Sequence, residues 1–141
     1  MDRKTLCEAL RSVAPRLDAD FPGWAVFGGA ALVLNGVEGI STRDIDIIVP
    51  AREDLPLPNE TDGRFRSQQR MQMEVGGVEV DVSVGLEVKS RGRWQRVSLQ
   101  QTETDGGIRY ASRSECLRLL RLFNRPKDRE RLRLLSFSGP S

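Results

Sequence analysis

The segment FGGAALVLNG at residues 27–36, followed by STRDIDI at residues 41–47, decides the fold of this chain. We expect a short buried strand to end at the glycine pair 28–29 and a short helix to follow over residues 30–34. Glycines at such a junction let backbone N–H groups approach a phosphate closely, and the N-terminus of a helix favours negative charge. The same pair is also typical of a tight turn between strand and helix, so it predicts a phosphate site only in combination with other residues.

The second segment places two aspartates on one predicted strand. Asp44 and Asp46 share a face because side chains alternate along a strand, whereas Ile45 and Ile47 point into the core. Two carboxylates about 7 Å apart repel each other unless a cation lies between them. A solvated sheet face would also tolerate them, but aspartate is a poor strand former and two in one strand need a reason.

A third carboxylate belongs to the clearest hairpin of the chain. Residues 71–75 and 78–84 alternate around Gly76-Gly77, which suits a primed two-residue turn. In the second run the valines share one face and Asp81 lies on the other. If this run lies beside the strand at 44–49 with its valines buried, Asp81 joins the two aspartates. Taken alone, Asp81 is better explained as a solvated hairpin residue, so its value comes from the combination.

The order of the remaining elements indicates the fold class. We expect a helix over 3–17, a proline-rich loop over 50–63, a weaker strand pair over 86–99 and C-terminal helices over about 112–135. Ser112 and Glu115 form a capping-box pattern at the start of those helices. The pattern predicts a mixed α/β (α+β) fold, with a small twisted sheet and helices packed mainly on one side. We expect a single domain over 1–141, with its core at about 20–100.

Composition excludes several classes of chemistry. The chain has 141 residues, 38% of them hydrophobic and 30% charged, as expected for one globular domain. It has no histidine and two cysteines, which excludes Ser-His and Cys-His nucleophilic pairs and leaves little material for a zinc site. The longest apolar run, Trp24 to Leu34, is too short to cross a bilayer, and no signal peptide is visible. We therefore expect a cytoplasmic protein with no membrane partner, whose chemistry uses carboxylates, lysines, backbone groups and bound metal.

Basic residues concentrate near the C-terminus. Residues 113–133 hold eight basic and three acidic side chains. They form either a solvated helix face with intermittent ion pairs or an electrostatic patch for a triphosphate or RNA. Few aromatic residues interleave with them, which argues against a platform on which single-stranded bases stack.

Together, the glycine pair, the Asp-x-Asp strand and the later aspartate resemble the nucleotidyltransferase fold of the DNA polymerase beta-like superfamily. The sequence looks most like the small bacterial branch that includes the AbiEii-type toxin nucleotidyltransferases. The segment Arg125-Pro126-Lys127-Asp128 also resembles the R-x-K-D segment near the end of those proteins. The resemblance covers residues 24–84 well and 113–135 loosely.

The resemblance implies a metal site on the three aspartates. Asp44 and Asp46 would bind two Mg²⁺ ions, with Mn²⁺ as an alternative. Asp81 would complete the site and help deprotonate the attacking hydroxyl. Carboxylate oxygens are the hard ligands that Mg²⁺ prefers, and two such ions can clamp the attacking and leaving oxygens of a phosphoryl-type transfer. This chemistry needs positioning and charge neutralisation, so it does not require histidine.

The resemblance also implies contacts with a nucleotide. Gly28 and Gly29 would hold its phosphates, and Thr42 would support the acidic pair or touch a phosphate. Lys127 would contact the triphosphate. The chain is near the minimum size for the fold, so either a protein partner or a second copy in a homodimer completes the cleft, or the site is open.

The sequence thus predicts a metal-dependent nucleotidyltransferase that moves a nucleoside monophosphate from an NTP to a hydroxyl of RNA, protein or a small molecule. The bacterial branch suggests a toxin–antitoxin or phage-defence role. One alternative is a non-catalytic module on the same scaffold that binds a nucleotide or a partner. Another is a nucleic-acid-binding protein that uses the basic helices.

Overall fold

Four helices and two sheets form the fold in the computed structural model, which describes residues 1–60 and 63–137. The helices are α1 (Arg3–Asp20), α2 (Gly28–Leu34), α3 (Arg113–Phe123) and α4 (Pro126–Phe137). The strands are β1 (Ala25–Phe27), β2 (Asp44–Val49), β3 (Asn59–Glu60), β4 (Phe65–Ser67), β5 (Gln69–Val75), β6 (Val78–Val84), β7 (Glu87–Ser90), β8 (Arg93–Arg96), β9 (Thr102–Asp105) and β10 (Ile108–Ala111). The predicted mixed α/β fold class is confirmed.

The larger sheet has six strands in the order β5-β6-β2-β1-β10-β9. β2 runs parallel to β6 and β1 runs parallel to β10, whereas the other neighbours are antiparallel. Ile45, Ile47 and Val80 are fully buried, and Val82 nearly so. A shift of one residue would turn these side chains towards solvent, so their burial fixes the register of the two strands.

The smaller sheet has the order β3-β4-β7-β8. Its β7–β8 hairpin, predicted within residues 86–99, turns at Arg91 and Gly92, both in the left-handed region. Val88 of β7 is fully buried, and the ring of Phe65 in β4 meets the ring of Phe123 edge-on at 5.2 Å. This sheet therefore packs one of its faces against α3.

The first helix is longer than the sequence predicts, since α1 continues to Asp20 instead of ending at residue 17. Pro15 lies inside it and removes one backbone donor. Leu17 is fully buried, and the indole of Trp24 donates to the carboxylate of Asp18 at 2.7 Å. These contacts hold the last turn in helical form despite the proline. α1 touches both β5 and β10, so it crosses the larger sheet.

The β9–β10 hairpin, which turns at Gly106 and Gly107, is not predicted by the sequence pattern. All residues of β9 are exposed, so this strand carries no alternation of apolar and polar residues. β10 lies beside β1 in the sheet centre, with Tyr110 and Ala111 buried. The predicted loop over 50–63 is wrong at β3, and residues 61 and 62 of it lie outside the described residues.

The capping box at α3 is half formed. Ser112 accepts from the backbone N–H of Glu115, as predicted. The Glu115 carboxylate is used elsewhere, because it accepts from the backbone N–H groups of Gln100 and Gln101 and pairs with Arg118. It therefore ties the start of α3 to the segment before β9. None of the helices in the described residues is long and apolar enough to cross a membrane.

Candidate active site

Four carboxylates gather on neighbouring strands of the larger sheet. The parallel register of β2 and β6 sets Asp44 beside Glu79 and Asp46 beside Asp81. One carboxylate oxygen from each of Asp44, Glu79 and Asp81 lies within 4.8 Å of the other two. The predicted convergence of Asp81 with the β2 aspartates is therefore observed, and Glu79 joins them.

Asp46 is the most strongly perturbed of these carboxylates. Its pKa is raised from 3.8 to about 6, first by burial and then by the negative charge of Asp81; Asp44 also raises it, whereas Lys127 and Arg125 lower it. The pKa of Glu79 is also raised, first by the charge of Asp81 and then by that of Asp44. Both shifts have the same meaning: the negative charges of this cluster are not balanced by the protein alone.

A divalent cation fits this cluster. The Oδ1 atom of Asp81 is buried and has no hydrogen-bond partner among the described residues. A buried, unpartnered carboxylate oxygen beside other carboxylates is costly unless a cation or a proton satisfies it. Hard carboxylate oxygens of this kind suit Mg²⁺ and Mn²⁺. Asp44, Glu79 and Asp81 could therefore hold a metal ion.

Gly28 lies directly against the acidic cluster. Its φ of +69° is in the left-handed region, and a Cβ at this position would lie 3.0 Å from Oδ2 of Asp46. Glycine is therefore required both for the backbone conformation at the start of α2 and for the close approach to the carboxylate. The sequence pattern detected this glycine, and the structure supplies a second reason for it.

A cavity of about 350 Å³ opens beside the carboxylates. Asp44, Asp46 and Asp81 line it on one side. Five basic side chains also line it. They come from the segment before β2, from β5, from the corner between α3 and α4, and from α4 itself: Arg43, Arg70, Arg125, Lys127 and Arg131. The cavity thus combines a negatively charged metal-ligand set with cations that could bind phosphates.

Arg125 is held rigidly at the corner between α3 and α4. Its guanidinium lies 5.1 Å from the ring of Phe65 and 5.2 Å from the ring of Phe123. The fully buried Asp128 accepts from its Nε at 2.7 Å, from its Nη2 at 3.1 Å and from its backbone N–H at 3.0 Å. In the R-x-K-D segment, Asp128 therefore holds the Arg125 side chain in place through hydrogen bonds. Lys127, which lies between these two residues in the sequence, lines the cavity.

Arg131 reaches from α4 to the start of α2. A Cβ on Gly29 would lie 2.9 Å from Nη2 of Arg131 and 3.1 Å from Oγ1 of Thr42. The Thr42 hydroxyl donates to the backbone carbonyl of Asp44 at 2.9 Å, so it supports the entry to β2. Gly29 is thus covered by Arg131 and is not itself part of the cavity lining.

Six predicted site residues line one cavity: Gly28, Thr42, Asp44, Asp46, Asp81 and Lys127. Their roles in metal or nucleotide binding stay predictions. The sequence analysis missed Glu79, although its place two residues before Asp81 on the same strand face could have indicated it. Arg131 was predicted only as one member of the basic stretch over 113–133; its place one helical turn beyond Lys127 on α4 could have singled it out.

No family model and no curated protein matches the sequence. The chain superposes on the crystal structure of a putative nucleotidyltransferase from Thermotoga maritima with a TM-score of 0.69 and 19% sequence identity, over 99% of this chain and 97% of that chain. The fold is nucleotidyltransferase-like. At this identity the likeness establishes the fold, and the activity has to be inferred from the site itself.

Proposed function

We propose that this protein is a metal-dependent nucleotidyltransferase that transfers a nucleoside monophosphate from an NTP to a hydroxyl group. The observation that carries the proposal is the carboxylate cluster: Asp44, Asp46 and Asp81 line a cavity that also holds five basic side chains, and Glu79 lies beside Asp44 and Asp81. A metal site alone would explain the carboxylates, and a phosphate site alone would explain the cations. Their combination in one cavity favours a substrate that carries both, a metal-bound triphosphate.

Asp44, Glu79 and Asp81 would hold the metal, with Asp46 beside them. When bound, Mg²⁺ or Mn²⁺ would neutralise phosphate charge and favour the deprotonated form of an attacking hydroxyl. Asp44, Glu79 and Asp81 alone could hold one ion. Asp46, which lies beside Asp81, adds a fourth carboxylate, and for that reason we assign two ions to this site. Asp81 would also help to deprotonate the acceptor hydroxyl, the role that the family resemblance implies for it.

The five basic side chains that line the cavity, which we call the basic wall, would bind and orient the triphosphate. Lys127 and Arg131 line the cavity from α4, and Arg131 lies against the glycine pair at the start of α2. In the transfer, a bond forms between the acceptor oxygen and the α-phosphorus, the bond to the β-phosphate breaks, and pyrophosphate leaves with its charge neutralised by these cations. Arg125 would hold its place in this wall because Asp128 and two aromatic rings fix it.

The finer parts of the proposal rest on the resemblance of residues 27–36 and 41–47 to the AbiEii-type branch. They are a role in a toxin–antitoxin or phage-defence system and an acceptor that is RNA, protein or a small molecule. A protein partner or a second copy would cover the cavity where larger nucleotidyltransferases use additional domains. The cytoplasm, where NTP and Mg²⁺ are available, would be the site of action.

The test is transfer of label from each of the four α-labelled NTPs to cellular RNA, to lysate protein or to small-molecule alcohols, in the presence of Mg²⁺. We expect one NTP to label one acceptor class. Asp44→Asn and Asp81→Asn should each lower the rate at least about a hundredfold while the far-UV circular dichroism is unchanged. Glu103→Gln, the same chemical change on the exposed edge strand β9, is the matched control and should keep the wild-type rate.

Two results would overturn the proposal. One is transfer that persists at the wild-type rate in Asp44→Asn and Asp81→Asn, because the cluster would then have no part in the reaction. The other is the absence of labelled product with every NTP and acceptor class, which would favour the non-catalytic binding module.

A further inference from the structure

The outward face of the smaller sheet combines a tryptophan with several basic side chains. Directly opposed residues of antiparallel strands share a face, and the strand register therefore places five side chains together. They are Arg66 of β4, Glu87 and Lys89 of β7, and Trp94 and Arg96 of β8. We call these five residues the Trp94 face. It lies opposite the face that carries Phe65 and Val88, which packs into the core.

The ring of Trp94 is held in a fixed orientation. The guanidinium carbon of Arg66 lies 4.3 Å from the ring centroid, and the Nζ of Lys89 lies 5.8 Å from it. Arg66 is itself held by the buried Glu87, whose Oε1 accepts from Nη2 at 2.7 Å and from Nε at 3.0 Å. The stacked Trp94–Arg66 pair is thus arranged in advance of any partner, which lowers the entropic cost of binding to it.

The charge around this pair is strongly positive. The strands of the smaller sheet and the β7–β8 turn carry five basic and two acidic residues. Lys89 and Arg96 of the Trp94 face and Arg91 of the adjoining turn are exposed, and within the part of the chain that the structure describes they form no ion pair. A run of exposed cations around a partly exposed aromatic ring complements a strand of phosphates with unstacked bases.

We propose that the Trp94 face binds single-stranded RNA, with phosphates on Lys89 and Arg96 and a base stacked on the Trp94–Arg66 pair. RNA exposes unstacked bases in its loops and ends, whereas the bases of a duplex are stacked on each other and cannot reach an aromatic ring. The strands that carry this face turn their other side to the core. Binding here is therefore separate from the carboxylate cluster and does not depend on the proposed transfer reaction.

The C-terminal helices are the competing location for RNA. They carry more basic residues than the smaller sheet, and Arg121 and Arg129 are exposed on them. The aromatic residue of α3, Phe123, is buried and stacks on Arg125 inside the fold. The sheet therefore offers a base-stacking group beside its charges, and α3 offers none on its surface.

Trp94 fluorescence gives a direct test. The protein has two tryptophans, and Trp24 is buried, so Trp24→Phe leaves Trp94 as the reporter. We expect a uridine RNA of about 12 nucleotides to quench it saturably. Lys89→Glu with Arg96→Glu should weaken binding and reduce the slope of log affinity against log salt by about 1.4, for two lost phosphate contacts.

The stacking contact is measured by the anisotropy of labelled RNA in the Trp24-containing protein. Trp94→Ala should weaken binding roughly 5- to 100-fold, and Trp94→Phe should restore part of the loss because it keeps a ring. Far-UV circular dichroism checks that each variant is folded.

The matched control is Arg121→Glu with Arg129→Glu, which changes the net charge by the same amount on α3 and α4. We expect it to leave the quenching of Trp94 intact and to weaken binding less than the sheet variant does. The proposal is overturned if the helix variant weakens binding as much as the sheet variant. It is also overturned if an RNA duplex of the same length binds as tightly as the single strand, or if single-stranded RNA leaves Trp94 fluorescence unchanged.

Discussion

Asp46 shows how the site destabilises the protein that carries it. Burial and the charge of Asp81 raise its pKa from 3.8 to about 6, so the folded state favours the protonated form. The stability this gives is present below about pH 4 and is lost as the pH rises through 6. By linkage, a shift of about 2 units corresponds to up to about 3 kcal/mol of unfolding free energy above pH 6.

We therefore predict that Asp46→Asn is more stable than the wild type at pH 7.5 in EDTA, by about 1–3 kcal/mol. The difference should shrink to below about 1 kcal/mol at pH 4, where Asp46 is protonated in the folded protein and about half protonated in the unfolded chain. Urea unfolding between pH 4 and pH 8 measures it. A difference that is constant across this range would show that the charge of Asp46 is not its cause.

Gly28 is the second residue whose identity the site dictates. Gly28→Ala should lower the unfolding free energy by about 2 kcal/mol or more, because alanine is strained at its positive φ and the added Cβ would meet the Asp46 carboxylate at 3.0 Å. Gly36→Ala is the matched control: φ is +79° there and nothing lies within 4 Å of the added Cβ.

Gly36→Ala should therefore lose only the conformational part, about 1 kcal/mol. Denaturant unfolding in EDTA compares the two variants. If both variants lose the same unfolding free energy, the contact with Asp46 does not contribute, and glycine is needed at position 28 only for its backbone conformation.

At the scale of elements, the β5–β6 hairpin sets the position of Glu79 and Asp81. Gly76 and Gly77 both have positive φ, which defines a primed turn, and a slip of one residue would turn Asp81 away from Asp46. We predict that Gly76→Asn stabilises the protein by about 0.5 kcal/mol. Asparagine tolerates this conformation and has fewer unfolded states than glycine.

Gly76→Val is the contrasting change, because a β-branched residue is strained at positive φ. It should destabilise the protein by at least about 1 kcal/mol. Thermal unfolding of both variants is the measurement. A similar loss for Asn and Val would show that the turn does not have the primed geometry.

The hairpin also shows what the sequence alone could predict. The β5–β6 pair was found because apolar and polar residues alternate on both sides of Gly76-Gly77. The equivalent β9–β10 pair around Gly106-Gly107 was missed because Thr102–Asp105 is polar throughout and exposed. β5 and β9 are both edge strands, but β5 half-buries one face and keeps the alternation, whereas β9 is exposed on both faces. The structure of β9 therefore depends on backbone pairing with β10, which leaves little trace in the pattern of side chains.

At the scale of the whole molecule, the carboxylate cluster can be predicted from the sequence better than the basic side chains that line the same cavity. The shared face of Asp44 and Asp46 follows from strand periodicity. The approach of Asp81 could be predicted only on the condition that its strand lies beside the strand at 44–49, and the parallel pairing of β2 and β6 meets that condition. The basic wall does not follow from any local pattern. Arg131 covers Gly29 only because α4 folds back over α2, across about 100 residues of chain. Such packing depends on tertiary contacts. From the sequence alone, the basic stretch near the C-terminus could therefore be either a solvated helix face or a phosphate-binding patch.

The binding of Mn²⁺, followed by the loss of the free-ion signal in electron paramagnetic resonance, tests the central claim most directly. The account predicts saturable binding to the wild type, tightened at least about tenfold by a non-hydrolysable NTP because the basic wall holds its phosphates beside the carboxylates. Asp81→Asn should lose this binding while Glu103→Gln keeps it. Equal Mn²⁺ binding by the wild type and Asp81→Asn, with or without nucleotide, would contradict a metal site built on these carboxylates.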